Sequence, residues 1–415
     1  MLTLLLWAAI PSLSLLWWLS VPKEEKALSQ TTFDDPAVCA MIIACTGYDC
    51  SSDRNTINNV QSRADPNQRL VRTFGIDNAF TTIDENYRKD FRSHAKEKIT
   101  LDDRRWKTIA DLARQLVGTA IPQPGSDIAN IRLDSLAQSV TLKISLHILF
   151  DRNPFQLDEE VILEIARTIN FLWTESKSTI DPSGADRERL RRALGLIFPG
   201  VGLTARQNPL NLILPAYETL WRVILLCFIE VTFRHRARAE WKQVLNDFLA
   251  DPTNAHFEER GPRPGAVSAA DIINEALRLY PPTKRVYRKF HIAGKTDPEM
   301  VAANIEACHR NPAIWGSDSW LFKPSRWRNI GNEARNAYMP FGGSTFVCPA
   351  KQDFGPRMIG VIVAALVTHI LQCDWKLELC VGGPNGGEEL SREEPLVSDR
   401  NNYEWIEISR RLSHS

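Results

Sequence analysis

Met339-Pro340-Phe341-Gly342-Gly343-Ser344-Thr345-Phe346-Val347-Cys348-Pro349-Ala350 is the stretch on which the reading of this chain turns. Its proline and paired glycines favour tight, irregular backbone. One cysteine follows, and then a long apolar helix pattern from Gly355 to about Leu371. A cysteine just ahead of a helix feels the positive end of the helix dipole and nearby backbone N–H groups, which favour thiolate over thiol. A thiolate on such a loop can approach a metal closely. A buried structural cysteine beside a turn accounts for the same residues.

The chain has 415 residues, enough for one large domain, and 44% of them are apolar. Fifty basic and 50 acidic residues balance, so bulk charge argues against a nucleic-acid role. Eight cysteines are scattered without a C-x-x-C zinc pattern. Cys39, Cys45 and Cys50 read as small apolar residues of a reducing compartment, or as a disulfide pair if the protein is secreted. Met1–Val21 is uncharged and rich in Leu, Trp and Ala, long enough to span a bilayer. Trp17 and Trp18 suit the interface, and Lys23 and Lys26 follow on the side expected to face the cytosol. A cleaved signal peptide is the alternative. A single domain is then expected over 22–415.

The remainder reads as mainly helical. Trp106, Ile109, Leu112, Ala113 and Leu116 lie at helical spacing, with Trp106 open to reading as a core residue. The longest helix pattern runs from Asn211 to Asn246 and is apolar nearly all round at its centre. Pro215 should break its hydrogen-bond ladder at the carbonyl of Asn211, one turn before Glu218 and Thr219. Ser268 can cap a helix carrying Glu275 and Arg278, three apart on one face, which Pro281-Pro282 stops. That pair could equally be a solvated surface pair. Short strands are expected at Arg285–Ile292 and Trp375–Val381.

With these segments in order, the chain resembles the cytochromes P-450. The central loop is similar to their haem-binding pattern Phe-x-x-Gly-x-x-x-Cys-x-Gly, with Phe341 and Cys348 at the right spacing. Ser344 and Ala350 stand where that pattern has glycines, and Phe346 where the family usually has a basic residue. Glu275-Ala276-Leu277-Arg278 resembles the Glu-x-x-Arg segment, and Phe322–Trp327 the segment that brings a second arginine, here Arg326. Pro215–Leu220 resembles the acid-threonine turn of the central helix, and Trp106 the tryptophan of Trp-x-x-x-Arg, with Ala110 at the arginine position. His309-Arg310-Asn311-Pro312 resembles a further family segment, its histidine structural rather than a ligand. The resemblance covers at least Asn211–Leu371.

It implies a helical P-450-like fold with small β-sheets, behind an N-terminal transmembrane helix. It implies haem b with Cys348 as axial thiolate, and Phe341, Arg288 and Trp106 as further haem contacts. It implies a structural network of Glu275, Arg278 and Arg326, and Thr219 with Glu218 serving oxygen activation. The activity implied is oxidation of a lipophilic small molecule with O2. Electrons would come from an NADPH-cytochrome reductase, since no Gly-rich dinucleotide fingerprint is present. The location implied is a single pass in the endoplasmic reticulum, facing the cytosol. The Cys-Pro-Ala loop and compact length look like filamentous-fungal members of secondary metabolism. Rearrangement or dehydration on the same haem is the nearest alternative, and a haem-poor membrane-bound binding protein the more distant one.

Overall fold

Helices in this chain begin where short polar side chains can close the first turn. Asn58 accepts from the backbone N–H groups of Val60 and Gln61, Asp84 from those of Asn86 and Tyr87, and Asp102 from that of Arg105. Ser268 and Asp271 form a reciprocal capping box. The computed structural model describes residues 31–48, 58–122, 130–178, 184–235, 239–290, 297–370, 375–379, 394–398 and 406–410. The expected anchor Met1–Val21 lies outside them, as do Cys50, Cys373 and Cys380.

Early in the chain lie α1 (Pro36–Ala44), α2 (Asn59–Phe74), α3 (Glu85–Ile99), α4 (Asp103–Ala120) and α5 (Leu133–Phe150). Next come α6 (Glu159–Glu175), α7 (Gly184–Ile197), α8 (Leu210–Arg234), α9 (Ala239–Ala250) and α10 (Asn254–Glu258). The last are α11 (Ala269–Leu279), α12 (Ile305–Arg310), α13 (Pro312–Trp315), α14 (Asn332–Ala337) and α15 (Phe354–Ile370). Two small sheets sit beside this helical mass. One joins β1 (Thr31–Phe33), β4 (Glu299–Asn304) and β3 (Arg285–Phe290) in that order, with β1 parallel to β4 and β3 antiparallel. The other joins β2 (Asn130–Arg132), β6 (Ile406–Arg410) and β5 (Trp375–Leu379), all antiparallel.

The core is built on α5, α8 and α15, which bury nearly every side chain. The last packs against α4, α8, α9 and α11. At Gly360 a Cβ would come within 3.0 Å of Phe248 and 3.1 Å of Phe257, so the glycine permits close approach of those rings. In length and composition α8 would suit a membrane, yet it lies inside the protein.

The expected helix Asn211–Asn246 is two helices. The first ends at Arg234, where Glu230–Arg234 forms a wide π turn. Arg234 and His235 both turn back to the buried carboxylate of Glu230, which also accepts from Tyr280. His235 leaves helical geometry, with φ −121° and ψ 46°. Pro215 opens a second π turn over Leu214–Glu218. The Asn211 carbonyl that it frees accepts from Asn78 Nδ2 at 3.2 Å. A side chain thus satisfies the carbonyl that the proline releases.

One buried ion network ties α11 to the chain that follows. Glu275 is fully buried. It accepts from Arg278 Nε and Nη2 (2.9 and 2.8 Å), Arg326 Nε (2.9 Å), Lys323 N (2.9 Å) and Trp327 Nε1 (3.0 Å). Arg278 spends its remaining donor capacity on the carbonyls of His309, Ser319 and Leu321. Burial pushes the Glu275 carboxyl pKa upward, but the two guanidinium groups and the Lys323 N–H more than offset this and hold it below its ordinary value of 4.5.

Glu275→Ala would strand two guanidinium groups and should cost about 3–5 kcal/mol of stability, read by urea unfolding. A depressed carboxylate contributes stability that is fully present above its unfolded value and is lost as pH falls through the folded one. The wild-type advantage over the variant should therefore shrink as pH drops below 4.5.

Candidate functional site: the Cys348 loop and its arginines

The loop between α14 and α15 is folded by its own backbone. Gly342 takes a left-handed φ of 68°, and its N–H donates to the Met339 carbonyl at 3.2 Å. The Cys348 N–H closes the loop on the Phe341 carbonyl at 2.8 Å. Phe341 packs on Gly355 so tightly that a Cβ there would lie 2.8 Å from the ring. Ser344, at the position where a glycine is usual, keeps the conformation a glycine would take, with φ 49°.

Cys348 does not sit directly on a helix end. A tight turn over Pro349–Lys351 intervenes, and α15 starts at Phe354. Burial pushes the thiol pKa up. The Ala350 N–H and the cations of Arg63 and Arg92 pull the other way without winning. The helix dipole therefore does not by itself favour a free thiolate here, and a metal on the sulfur would favour deprotonation.

Around the loop the charge is one-sided. The buried ring of Phe346 carries guanidinium groups from three elements: Arg63 of α2 at 4.6 Å, Arg88 of α3 at 5.4 Å and Arg288 of β3 at 5.9 Å. Arg88 is matched by Glu85. Arg63, Arg92 and Arg288 have no carboxylate partner among the described residues. Among the described residues Arg288 donates to Cys45 Sγ (2.8 Å) and to the carbonyls of Ile43 and Tyr287 (3.1 and 2.8 Å). Burial and the neighbouring Arg288 cation push Arg63 down to about 9. Arginine is retained as a cation in such a place when an anion is to share it.

Trp106 lies at the far end of the loop. Its indole N–H donates to Asp353 at 3.2 Å, and its ring packs between Phe354 and the Arg357 guanidinium. It braces the start of α15. The cations around the loop come from Arg63, from Arg288 of β3 and from α3, whose Arg88 and Arg92 stand four apart on one face. That spacing was readable in the sequence, whereas Arg63, brought in by α2 from 285 positions away, carried no signal. On α8, Glu218 is buried and pairs with Arg222 at 2.9 Å, which also donates to the Pro282 carbonyl at 3.3 Å. The Thr219 hydroxyl donates to the Pro215 carbonyl at 2.8 Å.

A solved structure of the cytochrome P450DA haem domain superimposes with a TM-score of 0.57, covering 92% of this chain and 88% of that one at 18% identity. A six-coordinated cytochrome P450 from Thermus thermophilus gives 0.54 over 81% and 84% at 15% identity. The chain has the cytochrome P450 fold. Residues 269–369 match the sequence model of the family described as Cytochrome P450, and this segment holds both the Glu275 network and Cys348. Cytochrome P450 734A5 of rice is 29% identical over 224 residues, 48% of this chain and 39% of that protein. Indoleacetaldoxime dehydratase of Arabidopsis thaliana is 30% identical over 149 residues, 31% and 28% of the two chains. The chain thus matches well under half the length of these curated relatives. Cytochromes P450 hold haem through a cysteine thiolate. The residues here fit that group: a thiol on a closed loop, and unpaired cations placed to meet its two carboxylates.

Relieving the strained backbone gives a local check on the loop. Ser344→Gly should leave the fold unchanged and raise stability by about 1 kcal/mol, read as a higher urea midpoint at constant slope.

Proposed function

We propose that this chain is a haem-thiolate monooxygenase that places one atom of O2 in a lipophilic small molecule. The observation that carries the reading is the pairing of Cys348 with a cluster of arginines that lacks carboxylates of its own. Haem, when bound, supplies the redox chemistry of oxygen activation. Cys348 holds it, Arg63, Arg92 and Arg288 meet its carboxylates with Arg88 beside them, and Phe341 backs the loop against α15. On α8, Glu218 passes protons inward and Thr219 orients the last donor, its hydroxyl lone pairs facing outward while its O–H donates to the Pro215 carbonyl. Electrons come from an NADPH-cytochrome reductase. The open, basic hollow of about 470 Å³ lined by Arg88, Lys89, Arg92, Lys96, Ser344 and Thr345 offers an acidic partner a docking face beside the loop. The same proposal takes 22–415 as one catalytic domain on a 1–21 anchor, at the endoplasmic reticulum, in fungal secondary metabolism.

Dehydration on the same site is the second reading. It is favoured by the similarity to a dehydratase and by Leu220 standing where a second hydroxyl would serve oxygen activation. Turnover that needs no NADPH would select it.

Reduced protein treated with carbon monoxide should show the red-shifted Soret band of thiolate ligation. Cys348→Ala should abolish it, and a band that survives the change would remove Cys348 as the ligand. Positioned proton transfer is worth about 10²–10⁴ in rate. Thr219→Ala should therefore keep its haem yet release more hydrogen peroxide per NADPH consumed, and an unchanged ratio would make Thr219 an ordinary helix residue.

A further inference from the structure

We infer that His309 is a positioning residue that carries the register of the Glu275 network into the Cys348 loop, an inference that rests on the haem-thiolate reading of that loop. His309 lies in the last turn of α12, fully buried between α11 and the start of the loop. The Met339 N–H donates to its Nε2 at 2.9 Å. A nitrogen that accepts there carries no proton, so the neutral ring holds its proton on Nδ1. Nδ1 lies 3.0 Å from the Arg278 carbonyl and donates to it. Arg278 returns the contact, with Nη1 donating to the His309 carbonyl at 2.7 Å. Each residue therefore grips the other's backbone with its side chain, and the same arginine holds Glu275.

The grip reaches the site through few bonds. Met339 is buried, its carbonyl takes the Gly342 N–H, and the loop closes between Phe341 and Cys348. A second tie runs parallel to it, from the Tyr338 hydroxyl to Asn274 Oδ1 of α11 at 3.0 Å. The loop entrance is thus fixed to one helix at two adjacent residues. Only a neutral imidazole can do this, because imidazolium would set an N–H against the Met339 N–H. Burial and the Arg278 and Arg310 cations keep it neutral, holding its pKa down at about 3.

Glutamine offers one donor and one acceptor on a single side chain, as this imidazole does. Alanine offers neither and leaves a buried N–H and a buried carbonyl unpaired. The test compares the purified wild-type protein with His309→Gln and His309→Ala by amide hydrogen exchange and by the carbon-monoxide spectrum of the reduced protein. In His309→Ala, exchange over 339–348 should quicken about tenfold, the loss expected for one hydrogen bond. A larger share of its haem should lose the thiolate-type band. His309→Gln should stay close to wild type in both, and exchange in Leu210–Arg234 should not change in either variant. Wild-type behaviour of His309→Ala would overturn the proposal. So would exchange that rises equally in the loop and in Leu210–Arg234, which would reduce His309 to general packing. If His309→Ala does not fold, His309→Asn takes its place: the shorter amide should loosen the loop where glutamine does not, and equal behaviour of the two overturns the proposal. A wild-type protein without the thiolate-type band would refute the haem reading itself, while the exchange arm would still decide whether His309 positions the loop.

Discussion

A carboxylate removed entirely from water is the constraint on which the rest of this structure depends. Glu275 has no solvent contact, and an isolated ion in that position is untenable. Five donors from four residues converge on it, and each fixes a different piece of chain. Arg278 belongs to the same helix, but Lys323, Arg326 and Trp327 must arrive from about 50 positions later. Meeting that demand draws the segment after α13 back against α11. From there the chain has only a short path to Met339 and the cysteine loop. Replacing a whole buried ion network by apolar groups is often neutral, whereas removing one member strands the others, so each partner here depends on the rest.

The opposite imbalance marks the site. Glu275 is over-provided with cations, while Arg63, Arg92 and Arg288 surround Phe346 and Cys348 without carboxylates of their own among the described residues. A protein keeps uncompensated cations beside a thiol when a ligand brings the negative charge. The aromatic ring at position 346 is consistent with this. It gives up the family's basic side chain at that point, and offers a face on which guanidinium groups from three other elements are held.

What was legible in the sequence follows the range of each interaction. Local signals read directly: the Ser268 cap, the helix stop at Pro281-Pro282, and the loop spacing from Phe341 to Cys348. The ladder break at Pro215 was equally local, since the clash is set by its own ring. What fills the break, the Asn78 side chain, comes from 133 positions away and had no signature. The end of α8 at Arg234 depends on a carboxylate that gathers Arg234, His235 and Tyr280, and apolar periodicity simply ran through it. Trp106 shows how a local pattern gives the helix but not the partner. Its helix formed as its spacing required, but its indole found Asp353, and α3 supplies arginines to the loop. The conformation of Ser344 shows the reverse: its left-handed backbone, with φ 49°, is one that residue type alone would not announce.

The central claim is that Cys348 and the unpaired arginines together await a dianionic, iron-bearing macrocycle. Titrating haem-free protein with haem b, and in parallel with haem whose two carboxylates are esterified, tests this most directly. The account predicts that haem b binds with a thiolate-type spectrum and that the diester binds more weakly by about tenfold or more, since charge-assisted hydrogen bonds to the arginines are lost. Equal affinity for the two, or binding of haem b without thiolate ligation, would contradict it.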